Sequence, residues 1–220
     1  NERQRLFDAL DVREARLREE RESFNAWRRL RGYTEFPDLR GAMFGDYLKP
    51  MVLLSLNLGL RRGETFALVW GDVDFEAGLV TVRGSGAKSG RTRRIPMNAV
   101  ARKTLAGWRA QLEDAKPDGL VFVSPKGGKF DNVQSAWEAV LQEAAIVDFR
   151  WHDMRHDFAS VLAQRGASLQ TIKDLLGHHS MDMVLRYAHL SNEQRAAAVA
   201  LLDAPEGNVI AFPQVASSDS

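Results

Sequence analysis

Residues 151–190, WHDMRHDFASVLAQRGASLQTIKDLLGHHSMDMVLRYAHL, form the stretch of sequence that decides the fold. Gly166 and Gly177 are placed as helix stops, and Ser168 and Ser180 are well placed as helix N-caps. The segments between these residues predict helices at 153–164, 169–176 and 181–187. This part of the chain is therefore expected to be a series of short helices.

The segments upstream add a small β-structure to further helices. Residues 47–58, YLKPMVLLSLNL, are strongly apolar and predict a buried helix. Residues 79–83 (LVTVR) and 92–95 (TRRI) predict two strands around a glycine-rich hairpin tip. Further helices are expected at 64–69, 99–112 and 132–145. The fold class is therefore predicted to be mainly α with a small antiparallel β-hairpin or sheet (α+β).

The two ends of the chain differ from its middle in composition. Residues 1–31 interleave basic with acidic residues and predict a leading charged helix that is exposed to solvent. Ser191 with Gln194 forms a capping-box pattern that begins an Ala-rich last helix. The tail at 205–220 has no periodicity, so we expect it to be mobile unless it docks on a partner.

The overall composition is that of an ordinary globular protein. The 220 residues are 45% hydrophobic and 27% charged, and 30 Lys and Arg against 29 Asp and Glu give a net charge of +1. The lack of cysteine excludes disulfides, thiolate nucleophiles and Cys-ligated zinc. No apolar run approaches the roughly 18–20 residues that span a bilayer, and the charged N-terminus is unlike a signal peptide. A cytoplasmic protein without a membrane partner is expected.

The near-zero charge conceals a local asymmetry. The segment from Arg83 to Arg109 contains eight basic residues and no Asp or Glu, whereas residues 110–148 contain seven acidic residues and three lysines. Charges separated in this way create a local positive field that attracts phosphate, although a solvated basic face would have the same composition.

Two basic clusters lie in predicted turns. Arg61 and Arg62 lie between two apolar helices, where Arg61 could point into a pocket with Glu64 supporting it; a surface Arg pair would look the same. Lys88 lies on the glycine-rich hairpin tip, from which it could reach a ligand phosphate or remain solvated.

The sequence from 152 to 157 permits two kinds of chemistry. His152 and Arg155, at i and i+3, lie on one face of a helix and could hold the same anion. His152 and His156, at i and i+4, could instead bind a metal, with Asp157 as in a metal phosphohydrolase. A neighbouring Arg makes that second environment a poor one for a metal.

A binding function without catalysis is also open. Residues 168–190, with two short helices around Gly177, are similar to a helix-turn-helix and would suit a non-catalytic DNA-binding module. Tyr187, next to Arg186 at a helix end, is the kind of residue that most often serves packing alone.

Taken together and in order, these motifs resemble those of the tyrosine recombinases, or phage integrases. The resemblance covers about residues 32–202 and is closest in HDMRHDFAS and in LLGHHS followed by RYAHL. It implies the tyrosine recombinase catalytic-domain fold and six catalytic residues: Arg61, Lys88, His152, Arg155, His178 and the nucleophile Tyr187. Glu64 matches the acidic residue that supports Arg61, and Arg91 is a second candidate for the role of Lys88.

The resemblance implies transesterification at a DNA phosphodiester. Tyr187 would attack phosphorus and form a 3′-phosphotyrosyl link, which keeps the bond energy and requires no ATP. Arg61 and Arg155 would hold the phosphate oxygens, and with Lys88 they balance its charge without a metal or other cofactor. His152 is the candidate general base, His178 would hydrogen-bond the phosphate, and Lys88 would protonate the leaving 5′-oxygen.

The same resemblance implies partners and domain limits. Residues 1–204 are expected to form the catalytic domain, and the core-binding and arm-binding domains of the family are expected to be absent from this chain. The partners would be double-stranded DNA attachment sites and, on DNA, three further copies in a homo-tetramer; the isolated domain would be a monomer. The location would be the nucleoid of a bacterium or phage host. Further DNA contacts are expected from Arg62, Arg83, Arg91, Arg93 and Arg94.

Overall fold

The computed structural model describes residues 1–84, 92–191 and 199. The predicted hairpin tip with Lys88 and Arg91, the Ala-rich last helix and the tail at 205–220 lie outside the described residues. The α-helices of the described residues are α1 (Glu2–Arg29), α2 (Leu48–Leu58), α3 (Arg62–Ala67), α4 (Ala99–Ala110), α5 (Gln134–Glu143), α6 (Asp153–Gln164), α7 (Leu169–Leu176) and α8 (Asp182–Leu185). The strands are β1 (Val73–Asp74), β2 (Leu79–Val82) and β3 (Arg93–Pro96), and single 3₁₀ turns occur at Trp70–Asp72 and Ala188–Ser191.

The three strands form one small antiparallel sheet in the order β1-β2-β3. Val80 at its centre pairs with Val73 on one side and with Ile95 on the other, and both Val80 and Ile95 are buried. The predicted hairpin is thus confirmed and is extended by the short strand β1. The predicted mainly helical α+β class is confirmed as well.

Helix α2 lies in the middle of the core and packs against α4 and α6. Met51, Leu54 and Leu58 are fully buried, which contributes about 1.5–3 kcal/mol for each side chain. The helix ends at Gly59 in the left-handed conformation, with φ +62°, where a Cβ atom would lie 2.5 Å from a ring carbon of Phe158. This glycine therefore lets the end of α2 touch α6, the helix that carries several residues of the site described below.

Helix α1 is less exposed than its charge pattern predicts. Leu6 and Leu10 are buried against the core, and Glu14 is only 3% exposed. The Glu14 carboxylate accepts a hydrogen bond from the backbone N–H of Gly45 at 2.6 Å and pairs with Arg18. The prediction of a solvent-exposed helix is therefore wrong for its first half, because a loose stripe of leucines was enough to dock it.

Helices α6, α7 and α8 share a second, smaller core that includes Ile172, Leu176, Val184 and the ring of Tyr187. Ser168 is the N-cap of α7 as predicted, since its Oγ accepts a hydrogen bond from the N–H of Thr171 at 3.0 Å. Ser180 is not a cap, because α8 begins after Met181 without a side-chain cap. In the described ranges no helix is both long and apolar enough to cross a membrane.

Candidate active site

Five of the predicted site residues come together from four separate segments. Arg61 immediately precedes α3, and His152 immediately precedes α6. Arg155 lies in the first turn of α6, His178 follows α7, and Tyr187 follows α8. The positive charges of Arg155 and Arg61 lower the pKa of both His152 and His178, after the larger effect of burial. The side chains therefore lie within electrostatic reach of one another.

The carboxylate of Glu64 binds both the backbone and the side chain of Arg61. The carboxylate accepts hydrogen bonds from the Arg61 N–H and from Arg61 Nη1, each at 2.8 Å. Burial raises the pKa of Glu64, but two guanidiniums, that of Arg93 before that of Arg61, lower it to about 2. The supporting position predicted for Glu64 is thus what the structure has, and the Arg61 side chain keeps 31% exposure.

Arg93, which was predicted to contact DNA, is buried and paired with Glu64. Its side chain is 8% exposed, Nη1 and Nη2 donate to the two oxygens of Glu64, and Nε donates to the carbonyl of Leu175 at 2.9 Å. The donors of Arg93 thus point into the protein, and the DNA contact predicted for this residue stays a prediction. The alternation of β3 could have revealed this, since Arg93 shares its face of the strand with the buried Ile95.

Arg155 is fixed by carbonyl groups at two helix ends. It is 2% exposed, Nη1 donates to the carbonyl of Gly59 at 2.7 Å, and Nη2 donates to that of Leu176. Carbonyls at helix C-termini lack intrahelical partners and carry partial negative charge, so they suit a guanidinium. Burial and the charges of Arg61 and Arg93 lower the pKa of Arg155 to about 9, which leaves it charged at neutral pH.

Tyr187 is buried and touches His156, which is not among the predicted catalytic residues. Its Oη lies 2.6 Å from Nδ1 of His156, and the residue is 4% exposed. Burial raises the pKa of the phenol, and the charges of Arg186 and Arg155 oppose that rise. His152, the candidate base, is the cap residue before α6 and packs its ring edge-on against His156 at 5.0 Å between centroids. The sequence does not show how the segment with Tyr187 packs against α6, so it could not predict this contact.

The site disfavours the charged form of two histidines, the predicted base His152 and the predicted phosphate-binding residue His178. Burial and two arginines lower the pKa of His178 to about 4 and also lower that of His152. His178 Nδ1 is buried and has no hydrogen-bond partner within the described part of the chain. A neutral imidazole carries one N–H donor and one acceptor, so both rings can bind a phosphate oxygen. Gly177 permits this arrangement, since a Cβ there would lie 2.9 Å from Cδ of Arg93.

An open cleft of about 710 Å³ borders this cluster. Its walls come from the start of α3, from α5 and from the turn before α6, and include Arg61, Arg62, Gln134, Arg150 and His152. The cleft gives a ligand access to the exposed part of Arg61 and to His152.

The remaining predicted DNA-binding residues lie on the surface where the structure describes them. Arg62 and Arg94 are exposed. The Arg83 side chain is 61% exposed and donates from Nε to Asp72 at 2.6 Å. Lys88 and Arg91 are outside the described residues.

The residues of the metal-binding alternative, His152, His156 and Asp157, are not grouped as metal ligands. Asp157 is bonded to Arg3 at 2.7 Å instead of facing the two histidines. Over residues 1–84 and 92–191, no three His, Asp or Glu side chains are grouped so that they could hold a metal ion.

Comparison with known proteins agrees with the motifs. The phage integrase family model matches residues 42–194. The integrase of Salmonella phage P22 is 32% identical over 153 residues, which are 66% of this chain and 39% of that protein. The tyrosine recombinase XerC of Pseudomonas fluorescens is 33% identical over 166 residues, 72% of this chain and 55% of that protein. The chain thus spans from about two fifths to just over half of the length of these relatives.

Solved structures give the same assignment. The Tn1549 transposon integrase in complex with circular intermediate DNA has a TM-score of 0.56 and 26% identity, over 70% of this chain and 59% of that one. The catalytic domain of bacteriophage HP1 integrase has a TM-score of 0.52 at 22% identity, over 72% and 84%, and supports the fold alone. The structure therefore has the tyrosine recombinase catalytic-domain fold. The chain belongs to the phage integrase family, the tyrosine recombinases.

Proposed function

We propose that residues 1–204 of this chain are the part of a site-specific DNA recombinase that cleaves and rejoins DNA strands. The observation that carries the proposal is the placing of two fixed guanidiniums, Arg61 and Arg155, in one electrostatic cluster with neutral histidines and the buried hydroxyl of Tyr187. This set supplies a nucleophile together with donors for a phosphate. The family relatives are integrases and XerC recombinases, and the Tn1549 integrase was solved on DNA.

The proposed reaction is a pair of transesterifications. Tyr187 Oη attacks the scissile phosphorus, the bond to the 5′-oxygen breaks, and a 3′-phosphotyrosyl link forms. A 5′-hydroxyl of a second strand then attacks that link and releases the tyrosine. Each step exchanges one phosphoester bond for another, so the reaction needs neither ATP nor a water molecule.

The arginines stabilise the charge that collects on the two non-bridging oxygens. Each planar guanidinium can give paired hydrogen bonds in a fixed geometry. Arg155 is already held by two carbonyls and Arg61 by Glu64, so neither has to be reorganised when charge develops. Preorganised donors of this kind contribute about 3–4 kcal/mol each to the transition state.

His152 and His178 would donate hydrogen bonds to the phosphate from their neutral rings. The unpartnered Nδ1 of His178 supports this role, because a buried polar atom without a partner is costly and a bound phosphate oxygen would remove that cost. Lys88 is proposed to protonate the leaving 5′-oxygen, as its match to the family motif implies.

The proposed partners are double-stranded attachment sites and, on DNA, other copies of this protein in a homo-tetramer. Joining two duplexes requires four strand exchanges, which four active sites divide among them. Arg62, Arg83 and Arg94 are exposed and are proposed to contact the DNA backbone, together with Arg91.

The test is covalent trapping on a pool of nicked duplexes of randomised sequence. A nick beside the scissile phosphate lets the short 5′-hydroxyl fragment diffuse away, so the covalent protein–DNA adduct accumulates. Wild-type protein is expected to give a protease-sensitive adduct, and Tyr187→Phe none. Tyr33→Phe, at an exposed tyrosine beyond α1, is the matched control and should behave as wild type. Adduct formation by Tyr187→Phe would refute the assignment of the nucleophile.

The non-catalytic helix-turn-helix alternative gains no support from α8. That helix has four residues, Asp182–Leu185, and is about 6 Å long, one turn. A helix of this length has too little surface to read several base pairs in a major groove. Sequence-specific binding in the trapping experiment without any adduct would revive this alternative.

A further inference from the structure

The contact between His156 and Tyr187 has a chemical consequence for the proposed reaction. His156 Nδ1 lies 2.6 Å from Tyr187 Oη, within direct hydrogen-bonding distance. His156 is on α6 and Tyr187 follows α8, so the contact joins two elements of the second core. The tyrosine is 4% exposed, which leaves little room for water to act as an alternative proton acceptor.

The protonation states of the pair decide the direction of this hydrogen bond. Burial, together with the charges of His152 and Arg186, lowers the pKa of His156 below its ordinary value of 6.5, so the ring is neutral at pH 7. Burial raises the pKa of Tyr187, so its phenol is protonated. The phenol must then donate its proton, and Nδ1 must accept it while Nε2 carries the imidazole hydrogen.

The groups around His156 favour a ring that is neutral at rest but can accept a proton. His152, Arg186 and Arg155 disfavour the imidazolium, whereas the carboxylate of Asp153 favours it. Asp157, the next residue on α6, is occupied by Arg3. A histidine whose pKa is lowered from its ordinary value rests in the neutral form and can still accept a proton during turnover.

On the basis of the proposed function, we propose that His156, and not His152, is the general base that deprotonates Tyr187. The Oη–H bond of Tyr187 breaks and its proton moves to Nδ1 of His156, which becomes an imidazolium. Oη bonds to phosphorus as the 5′-oxygen leaves and takes a proton from Lys88. In the second step an incoming 5′-hydroxyl bonds to phosphorus and gives its proton to the neutral Lys88. The phenolate leaves phosphorus and recovers the proton from His156, so the enzyme returns to its starting state.

The decisive variant is His156→Asn. The Asn side chain can place a hydrogen-bond acceptor close to the position of Nδ1, so it keeps the tyrosine in place, but an amide cannot take up the proton. We therefore expect the single-turnover rate of adduct formation on nicked duplex to fall by about 10²- to 10⁴-fold, the usual contribution of general base catalysis. His179→Asn, at an exposed histidine, is the matched control and should cleave at the wild-type rate.

The pH profile separates proton transfer from simple positioning. The wild-type rate should rise with pH through a limb whose pKa lies below 6.5 and then level off, as His156 becomes neutral. In His156→Asn that limb should be absent, and the rate should keep rising towards the pKa of the phenol. His156→Ala should regain activity with added imidazole. A His156→Asn rate within threefold of wild type, or a limb that disappears in His152→Asn but not in His156→Asn, would overturn the proposal.

A measurement without DNA keeps this proposal distinguishable from the proposed function. Nitrogen chemical shifts of His156 at pH 7 should show an unprotonated Nδ1 and a protonated Nε2, and the Nδ1 signal should move in Tyr187→Phe. A hydrogen on Nδ1 would overturn the base assignment even if adducts form. If wild type forms no adduct at all, the proposed function fails, and the base assignment fails with it whatever the tautomer.

Discussion

Arg93 and Glu64 form a buried, doubly hydrogen-bonded ion pair, with Nη1 donating to Oε1 at 2.9 Å and Nη2 to Oε2 at 2.7 Å. The same carboxylate holds the backbone and the guanidinium of Arg61, while Arg93 Nε reaches the end of α7. The pair therefore ties the sheet, α3 and α7 together behind the phosphate-binding arginines. Arg93 is in this sense a positioning residue.

Arg93→Met is expected to destabilise the fold strongly. The change removes one partner of a buried ion pair and leaves the Glu64 carboxylate with Arg61 as its remaining cation, so the free energy of unfolding should fall by up to about 3–5 kcal/mol. Urea titration measures this loss. Arg94→Met, on the exposed face of the same strand, should change it by no more than about 0.5 kcal/mol. Equal effects of the two changes would contradict the assigned role.

Stability should depend on acid pH through Glu64. Its folded pKa of about 2 lies below the ordinary 4.5, so its contribution is fully present above pH 4.5 and is lost as pH falls from there towards 2. The shift corresponds to about 3 kcal/mol. In Glu64→Gln this part of the acid dependence should be missing, which denaturant titrations between pH 2 and 6 can measure. An unchanged acid slope in the variant would refute the pKa assignment.

Gly59→Ala should destabilise the protein by about 2–4 kcal/mol. The new Cβ would meet the Phe158 ring at 2.5 Å, and the left-handed φ of +62° adds backbone strain. Gly63→Ala is the matched control, since it lies in α3 with no atom within 4 Å of the new Cβ, and it should be neutral or slightly stabilising. Thermal unfolding of both variants decides the matter; a larger loss in the control would be incompatible with the packing described.

Arg155→Lys should nearly abolish cleavage while the protein still binds DNA. One ammonium cannot serve the carbonyls of Gly59 and Leu176 and also give a phosphate paired hydrogen bonds. The single-turnover rate should fall by about 10²- to 10³-fold. Arg165→Lys, at the exposed end of α6, should cleave like wild type. Full activity of Arg155→Lys would exclude a phosphate contact by this residue.

Most elements of the fold were readable from the sequence because helix stops and apolar periodicity are local signals. The left-handed Gly177 and the cap at Ser168 have the predicted positions, and α6 and α7 have the predicted bounds. Strand β1 was missed because two residues carry no detectable alternation. The packing of α1 against the core was not predicted, because its many charged residues dominate the mean hydropathy of the segment and hide its few buried apolar residues.

In the site, too, contacts between residues close in sequence were predictable and contacts between distant residues were not. Glu64 beneath Arg61 was predictable because the two residues are three apart at a helix start. The contacts of Arg93 with Glu64 and of His156 with Tyr187 were not predictable, because the partners are 29 and 31 residues apart along the chain. Only the packing of β3 against α7 and of α6 against Tyr187 determines what those side chains bind.

The most direct test of the central claim is to locate the DNA on the trapped protein. Of the three tyrosines in the chain, Tyr187 alone is predicted to carry it. Trypsin and nuclease digestion of the adduct, followed by tandem mass spectrometry, should place a 3′-phosphonucleotide on the peptide 187–195, YAHLSNEQR. A nucleotide on Tyr33, on Tyr47 or on a serine would contradict the claim.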